Sequence, residues 1–342
     1  MCCRPRNRPH GSIQARVIAD AVLLSRSSST RGYPRVESGW PVGRPHSRRG
    51  RVVRFDVRTF VVGLALSLLT GQLVGTASAD VVVDNPVHYV ALGDSGAAGP
   101  AWLSYAGGDG CGRSDAAYPA MIASALHPVS FASVACSGAT SAHVVSTPQS
   151  TYTPLPHRVP VQIDALRPHT TLVTLSIGGN DLNWAQLIGP CLQPVPQEDP
   201  RCRNNPVVLQ EIDQRLGELG PVLDGVLDAI TQRSPHAVVV LVGHGGYFDH
   251  QGCFPDSNLH GADAAFVQDF FVRFDSVLRD SAVRHGATFV DVAGPAVGHD
   301  ACAPIAERWF TGSMTFGPTP FLHPTPLGSA AMAGLVLDAI GR

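Results

Sequence analysis

Four residues of this 342-residue chain are of the types needed for nucleophilic attack on a carbonyl group. Ser95, within Gly93-Asp94-Ser95-Gly96, offers a hydroxyl in a glycine-flanked turn, and His323 offers a base suited to neutral pH. The backbone N–H groups of Ser95 and Gly138, with the side-chain amide of Asn180, offer three donors for a tetrahedral oxyanion. The chemistry that these groups could perform together is acyl transfer through a covalent serine intermediate.

Each of these residues also has a purely structural interpretation. A serine at the end of a strand often caps the next helix, and Gly138 could be an ordinary turn glycine. The run Gly178-Gly179-Asn180-Asp181 has the composition of a turn, and a single histidine such as His323 carries little weight. His244, His250 and His299 are interpreted as structural or exposed, since they show no metal-ligand spacing.

Several familiar sites are excluded. Gly-Asp-Ser-Gly is also the nucleophile sequence of trypsin-like proteases, but there the serine comes late in an all-β domain, whereas Ser95 follows a first strand. The G-x-S-x-G elbow fails because position 97 is Ala, and the Gly93, Gly96, Gly99 spacing misses the dinucleotide fingerprint. The chain contains no Lys, which excludes a Ser-Lys dyad, a Schiff-base lysine and a P-loop lysine.

Alternating strands and helices must position these groups. Short apolar runs of the kind found in strands buried on both faces occur at His88–Leu92, Val129–Ala135, Leu172–Ile177, Ala237–Val242 and Thr288–Val292. Helical sequence is predicted at Tyr118–Leu126, Pro206–Gln232, Ala262–His285 and Leu327–Ile340. This order predicts a parallel sheet with helices on both faces.

The unusual residues follow the predicted strands directly. Ser95 follows the first strand, Gly138 the second and Asn180 the third, while His323 precedes the last helix. In sheets of this kind, ligands bind beyond the carboxyl ends of the strands. The candidate residues are therefore expected at one edge of the sheet.

The first 79 residues have the features of an export leader. Residues 1–50 are rich in Arg, Ser, Pro and Gly and are predicted to be a disordered or mis-annotated extension. Within residues 51–79, three arginines precede an apolar run, Phe60–Val74, and Ala77-Ser78-Ala79 follows it, as in a signal peptide cleaved after Ala79. The run is short for a membrane span, although an uncleaved anchor is the alternative.

Charge is distributed unevenly between the leader and the rest. Residues 1–79 hold 13 Arg against three acids, whereas residues 80–342 hold 12 Arg against 24 acids. An acidic main body argues against nucleic acid or an anionic membrane as a partner.

Six cysteines follow the leader. An even number in an exported chain implies disulfides, but the sequence alone permits 15 pairings. A zinc site is disfavoured because residues 80–342 contain no C-x-x-C. The cysteines are Cys111, Cys136, Cys191, Cys202, Cys253 and Cys302.

Together, these blocks resemble the SGNH (GDSL-like) hydrolase family, whose name lists Ser, Gly, Asn and His. Gly93-Asp94-Ser95 is similar to its first block, Gly138 to the second, Gly178–Asp181 to the third and His323-Pro324 to the last. The secreted bacterial lipase/esterase branch is indicated by three further runs, Val159–Leu166, Ala135–Thr140 and Gly298–Cys302. The resemblance covers nearly all of residues 87–342.

The resemblance implies a three-layer α/β/α sandwich with a five-stranded parallel sheet, the flavodoxin-like SGNH hydrolase fold, over residues 80–342. It implies ester hydrolysis with Ser95 as nucleophile, His323 as base and Ser95, Gly138 and Asn180 as the oxyanion hole, without a metal or other cofactor. It also implies sequential disulfides, Cys111–Cys136, Cys191–Cys202 and Cys253–Cys302.

Two positions depart from the family pattern. Gly96 stands where a larger side chain is usual, which would open the acyl pocket. The family usually has Asp three residues before the histidine, where this chain has Pro320. Because some relatives orient the histidine with a main-chain carbonyl, the carbonyl of Pro320 is predicted to do so here, and a remote Asp is the alternative.

The sequence therefore predicts a secreted serine esterase or lipase acting on small-molecule or lipid esters. It is expected to be a monomer, with no nucleic-acid partner and no stable membrane insertion after cleavage. The alternatives are a carbohydrate acetylesterase or phospholipase of the same fold, a catalytically silent binding module, and a flavodoxin-like cofactor binder, for which no phosphate-binding loop is visible.

Overall fold

A computed structural model describes residues 86–105, 108–151, 157–192 and 199–342. The predicted N-terminal extension, residues 1–50, and the predicted signal peptide, residues 51–79, lie outside the described residues. Among the described residues, no helix combines the length and the apolar character that crossing a membrane requires.

The centre of the described structure is a five-stranded parallel sheet. Its strands lie in the order β2-β1-β5-β6-β7, the order of a doubly wound sheet with one reversal, between β1 and β5. A two-stranded antiparallel hairpin, β3 and β4, lies outside it. The seven strands are β1 (His88–Gly93), β2 (Ser130–Ser133), β3 (Gln149–Ser150), β4 (Arg158–Val159), β5 (Leu172–Ser176), β6 (Val238–Val242) and β7 (Thr288–Val290).

Helices cover both faces of the sheet. The first and last long helices, α2 and α8, pack together, and α6 packs against α7, so that the fold is the expected three-layer α/β/α sandwich. The helices are α1 (Ser95–Ala98), α2 (Tyr118–Leu126), α3 (Ser141–Val145), α4 (Gly179–Leu182), α5 (Trp184–Leu187), α6 (Pro206–Arg233), α7 (Gly261–Arg284) and α8 (Pro326–Ala339).

The strands form because their apolar side chains are buried between the two helical layers. All five residues of β5 are buried, as is most of β1. At the edge of the sheet, β2 is shorter than the predicted run Val129–Ala135, and its side chains are largely exposed. Phe131 of this edge strand packs on Tyr89 of β1, with ring centroids 5.0 Å apart.

Three disulfides fasten the loops at the carboxyl end of the sheet and beyond it. They join Cys111 to Cys136, Cys191 to Cys202 and Cys253 to Cys302. This is the sequential pairing that the family resemblance implies.

Candidate active site

Ser95 lies at the start of α1, in a tight turn that begins at Gly93. Gly93 has φ +134°, and a Cβ at this position would overlap the Ser176 carbonyl of the neighbouring strand β5, so only glycine fits. Asp94 caps α1 by accepting the Gly96 N–H at 2.8 Å. The turn therefore presents the Ser95 side chain at the carboxyl end of β1.

A buried glutamine holds this turn in place. The Gln162 side-chain amide accepts the Gly93 N–H at 2.7 Å and donates to the Gly93 carbonyl at 2.8 Å. The Gly93 carbonyl also accepts the Cys136 N–H at 3.0 Å, so both backbone groups of Gly93 are hydrogen-bonded. Gln162 lies within the run Val159–Leu166, which resembles the family, but the sequence did not predict this role for it.

Asn180 and Asp181 follow β5, beside the β1–β5 reversal, and fasten the Gly138 turn. The Asn180 Nδ2 donates to the Ala139 carbonyl at 2.9 Å, and both carboxylate oxygens of Asp181 lie 3.0 Å from the Ser141 N–H. Gly138 itself has φ +78°, a conformation that favours glycine. One short segment after β5 therefore positions the turn that follows β2.

His323 lies in a loop that Thr311 fixes from behind. The Thr311 hydroxyl accepts the His323 N–H at 3.1 Å and donates to the Pro320 carbonyl at 2.6 Å, and the Thr311 N–H donates to the His323 carbonyl at 3.0 Å. Thr325 then begins α8 by accepting the Gly328 N–H. No sequence motif predicted a role for Thr311, which is buried and hydrogen-bonded to the loop on both sides of Leu322.

The prediction that the Pro320 carbonyl orients His323 is wrong. The Pro320 carbonyl accepts the Thr311 hydroxyl, and the His323 Nδ1 instead lies 2.6 Å from the carbonyl oxygen of Phe321. The physical reason is the backbone at Leu322, whose φ of +57° turns the Phe321 carbonyl towards the imidazole. A leucine rarely adopts this left-handed conformation, which typically costs about 1–3 kcal/mol where it occurs.

The Phe321 carbonyl fixes the tautomer of the imidazole. A carbonyl can only accept a hydrogen bond, so the Nδ1 atom carries the proton and the Nε2 atom of neutral His323 keeps its lone pair. Burial lowers the pKa of His323 below its usual value, and the Phe321 carbonyl partly opposes that shift. His323 is consequently available as a neutral base at neutral pH.

One cavity of about 190 Å³ brings three of the four predicted residues together. Ser95, Asn180 and His323 line it. Gly138 does not line it, but directly precedes Ala139, whose carbonyl accepts the Asn180 side chain. Aromatic and apolar side chains that sequence reasoning missed form the remaining walls: Trp184, Tyr247, Phe321 and Leu322.

Asp94 also lines the cavity, and its carboxyl group is unusual. Burial raises the pKa of Asp94 to about 7; the Gly96 N–H bond opposes the shift, and the nearby charge of Asp181 adds to it. Asp94 is therefore a second titratable group within the site.

His244 is a further residue of the cavity wall. His244 was predicted to be structural or exposed, and it is buried, with only 6% of its surface exposed. The sequence did not predict that it lines the cavity with Ser95 and His323. Its ring stacks on Phe274, and burial lowers its pKa to about 4, so it is neutral at physiological pH. Its Nε2 atom is buried without a hydrogen-bond partner among the described residues.

Among the described residues, one group has the composition of a metal site. Asp199, His260 and Asp263 bring potential ligand atoms within 4.8 Å of one another. The Arg203 guanidinium, however, bonds both carboxylates, at 2.7 Å to Asp199 and 2.8 Å to Asp263. This arginine already occupies both carboxylates and offsets part of their charge, and none of these residues lines the active-site cavity.

The chain is similar to known lipases of one family. Residues 91–331 match the model of the GDSL-like Lipase/Acylhydrolase family. The chain is 31% identical to Lipase 1 of Streptomyces coelicolor over 284 residues, which cover 81% of this chain and 95% of that protein.

Two solved structures share the fold. An extracellular lipase from Streptomyces rimosus is 28% identical, with a TM-score of 0.58 over 74% of this chain and 99% of that one. A phospholipase A1 from Streptomyces albidoflavus is 27% identical, with a TM-score of 0.57 over 74% of this chain and 97% of that one.

Proposed function

Because the chain belongs to the GDSL-like lipase/acylhydrolase family and is a serine ester hydrolase, we propose that it cleaves lipid or short-acyl esters through an acyl-enzyme on Ser95, with His323 as base. One observation carries the proposal. Ser95 and His323 line the same cavity, and the Nδ1 atom of His323 is held by a main-chain carbonyl, which leaves Nε2 free to accept a proton.

The first half of the reaction forms the acyl-enzyme. The Ser95 oxygen attacks the ester carbonyl carbon while its proton passes to the His323 Nε2. The negative charge that develops on the carbonyl oxygen is stabilised by the Ser95 N–H and the Asn180 amide, whose residues line the cavity. The Gly138 N–H, expected as a third donor, belongs to a residue outside the cavity lining. His323 then gives its proton to the departing alcohol, and the C–O bond breaks.

Hydrolysis of the acyl-enzyme reverses these roles. Water attacks the acyl carbon and transfers a proton to the His323 Nε2, which returns it to the Ser95 oxygen as the acid departs. Throughout, the Phe321 carbonyl keeps the imidazole oriented without a carboxylate. Because a carbonyl carries only a partial charge, it stabilises the imidazolium less than an Asp would.

The walls of the cavity support a lipid or short-acyl ester as the substrate. Trp184 and Tyr247 stack with ring centroids 5.4 Å apart, and Phe321 and Leu322 lie on the loop that carries His323. Apolar walls with a few convergent polar groups are typical of sites for apolar ligands. A phospholipase is the second candidate, favoured by the similarity to the Streptomyces albidoflavus phospholipase A1.

Labelling with a fluorophosphonate tests the nucleophile. We expect the probe to modify one peptide, that of Ser95, and Ser95→Ala to lose both labelling and hydrolysis of p-nitrophenyl butyrate by a factor on the order of 10⁴ or more. Ser276→Ala, a half-buried position on α7 that does not line the cavity, is the matched control and should keep both. Undiminished turnover in a folded Ser95→Ala protein contradicts the proposal.

A panel of substrates then defines the class of ester. Phosphatidylcholine, triacylglycerols, p-nitrophenyl esters of increasing chain length and acetylated oligosaccharides separate a phospholipase, a lipase or esterase and a carbohydrate acetylesterase. Preference for the acetylated oligosaccharide contradicts the lipid assignment while leaving the serine mechanism intact.

The same proposal includes export and a single catalytic domain over residues 80–342. It is supported by the arginines before Phe60–Val74, by Ala77-Ser78-Ala79 and by the three disulfides, which persist in oxidising compartments. N-terminal sequencing of the exported protein should begin at Asp80, and sedimentation should give a monomer. A retained apolar segment would instead indicate an anchor.

A further inference from the structure

Two loops beside the active-site cavity present apolar side chains to solvent. Leu103, on a short turn after α1, is 87% exposed, and Phe316, on the loop before His323, is 88% exposed. Trp102 is 52% exposed, and Phe321 is also exposed. We call these four side chains, Trp102, Leu103, Phe316 and Phe321, the aromatic rim.

The three rings of the aromatic rim form one connected surface, and Leu103 follows Trp102 directly in the chain. The Phe321 ring lies edge-to-face with both Trp102 and Phe316, at centroid distances of 6.1 and 5.7 Å. The two loops are also joined through their backbones, since the Trp102 N–H donates to the Pro318 carbonyl at 3.0 Å. These contacts give the rim a defined shape despite its exposure.

The aromatic rim is continuous with the active-site cavity. Phe321 lines the cavity on one side and packs against Trp102 and Phe316 on the other. It lies two residues before His323, to whose imidazole it supplies the orienting carbonyl. Whatever covers the rim therefore also lies at the mouth of the cavity.

The two segments that carry the rim hold no formally charged residue, and Asp109 and Arg113, which line a neighbouring cavity together with Leu103, form an ion pair with each other. The sequence has no Asp, Glu, Lys or Arg from Ser95 to Gly108, nor from Trp309 to Leu337. A rim without cations does not match an anionic surface, and a rim without anions does not match a basic protein. Clustered exposed tryptophan and phenylalanine suit an apolar phase that meets water.

We propose that the aromatic rim docks on the surface of an aggregated, uncharged or zwitterionic lipid ester, so that the active-site cavity opens directly onto the substrate phase. The inference rests on the proposed function and adds to it the physical state of the substrate. A protein partner or a second copy of this chain on the rim would close the cavity mouth, whereas a lipid surface on the rim delivers substrate to it.

Kinetics on soluble and aggregated substrates test the docking step. The double variant Leu103→Asn, Phe316→Asn removes the two most exposed rim side chains, neither of which lines the cavity. Hydrolysis of emulsified triacylglycerol should fall roughly tenfold or more, because less apolar surface is available for transfer to lipid. Hydrolysis of dissolved p-nitrophenyl butyrate should stay within about twofold of the unmodified chain.

A control variant changes two exposed valines that directly or closely precede strands and do not line the cavity. Val129 directly precedes β2, and Val283 lies near the end of α7, just before β7; both are exposed. The double variant Val129→Asn, Val283→Asn should leave both activities unchanged. Equal loss on soluble and emulsified substrate in the rim variant, or no loss on the emulsion, overturns the inference and leaves the proposed esterase reaction standing.

A binding measurement tests docking without catalysis. In the Ser95→Ala chain, vesicles of brominated phosphatidylcholine should quench tryptophan fluorescence, since bromine quenches only indoles that it approaches closely. The additional Trp102→Phe change should remove most of that quenching. Quenching that is independent of Trp102, or a dimer that the rim variant dissociates, contradicts docking on lipid. Because quenching reports binding and not turnover, this result does not depend on whether the catalytic proposal holds.

Discussion

The carbonyl oxygen of Phe321 lies 2.6 Å from the Nδ1 atom of His323, the position that a carboxylate occupies in a catalytic triad. It accepts the ring proton and fixes the tautomer, as Asp does in a triad, but it adds no negative charge beside the imidazole. The pKa of His323 is therefore set chiefly by burial, which lowers it.

Activity should depend on pH through the neutral form of His323. As pH rises, the imidazole loses its proton and becomes a base, so kcat/KM should rise through an apparent pKa below 6.5. Steady-state kinetics with dissolved p-nitrophenyl butyrate from pH 4.5 to 9 measure that pKa.

Asp94 is the control for this profile, because its pKa of about 7 lies close to the range of interest. If kcat/KM of Asp94→Asn still rises with an apparent pKa below 6.5, that rise belongs to His323. If a rise with an apparent pKa near 7 disappears in this variant, it belongs to Asp94. A rising limb clearly above 6.5 in both proteins contradicts the orientation of His323 by an uncharged carbonyl.

Asn180→Ala should lower kcat by about 10²–10³ with little change in KM, since an oxyanion donor acts mainly in the transition state. Asn180 also holds the Ala139 carbonyl, so its loss could disturb the Gly138 turn. Asp181→Ala is the matched control, because it removes the acceptor of the Ser141 N–H and so loosens the same turn, while Asp181 is not proposed as an oxyanion donor. Equal losses in the two variants would mean that Asn180 acts only by positioning the turn.

Stability should fall as pH rises from 6.5 to 8 because of Asp275. Burial raises the pKa of Asp275 to about 8, so the folded state keeps a proton that the unfolded state has already lost. The free energy of unfolding then decreases by about 1.4 kcal/mol per pH unit for this group, or about 2 kcal/mol across the window. His244, with a pKa of about 4, has the opposite effect only below this window.

Asp275→Asn should remove that part of the slope. The amide oxygen of Asn can still accept the backbone N–H of His244, which Asp275 accepts at 2.8 Å. Asp269→Asn, an exposed position on the same helix α7, should leave the slope unchanged. Urea unfolding at several pH values measures the difference, and parallel curves for the unmodified chain and Asp275→Asn would contradict the prediction.

Much of the fold could be predicted because its signals are local and repeated. Buried runs such as Leu172–Ser176 are apolar throughout, and α2 begins and ends at the predicted residues Tyr118 and Leu126. The strand order follows from parallel pairing with short connections, which permits few topologies. The edge strand β2 is shorter than predicted because one of its sides lacks a partner strand.

The site could be predicted only in part. Ser95 and Asn180 directly follow strands, so their meeting at one edge of the sheet follows from the topology. The Phe321 carbonyl could not be predicted, because it depends on a left-handed Leu322 that its residue type disfavours. His244 resembles any buried histidine in sequence, and only the packing of β6 against its neighbours brings it into the cavity.

No single carboxylate should be essential for orienting His323. Four acids of the described residues, Asp94, Asp181, Asp291 and Asp300, are candidates for the remote Asp, and each has another hydrogen-bond partner. Asp94 accepts the Gly96 N–H, Asp181 that of Ser141, Asp291 that of Gly294 and Asp300 that of Cys302.

Changing each of these four acids to Asn in turn should therefore cost far less than the roughly 10⁴-fold loss of turnover seen when a triad Asp is replaced. The measurement is kcat on dissolved p-nitrophenyl butyrate, with near-ultraviolet circular dichroism to verify folding, because Asp94 and Asp181 also stabilise turns. A loss near 10⁴ in one folded variant would identify a remote triad member. The Phe321 carbonyl would then hold the imidazole only in the resting enzyme.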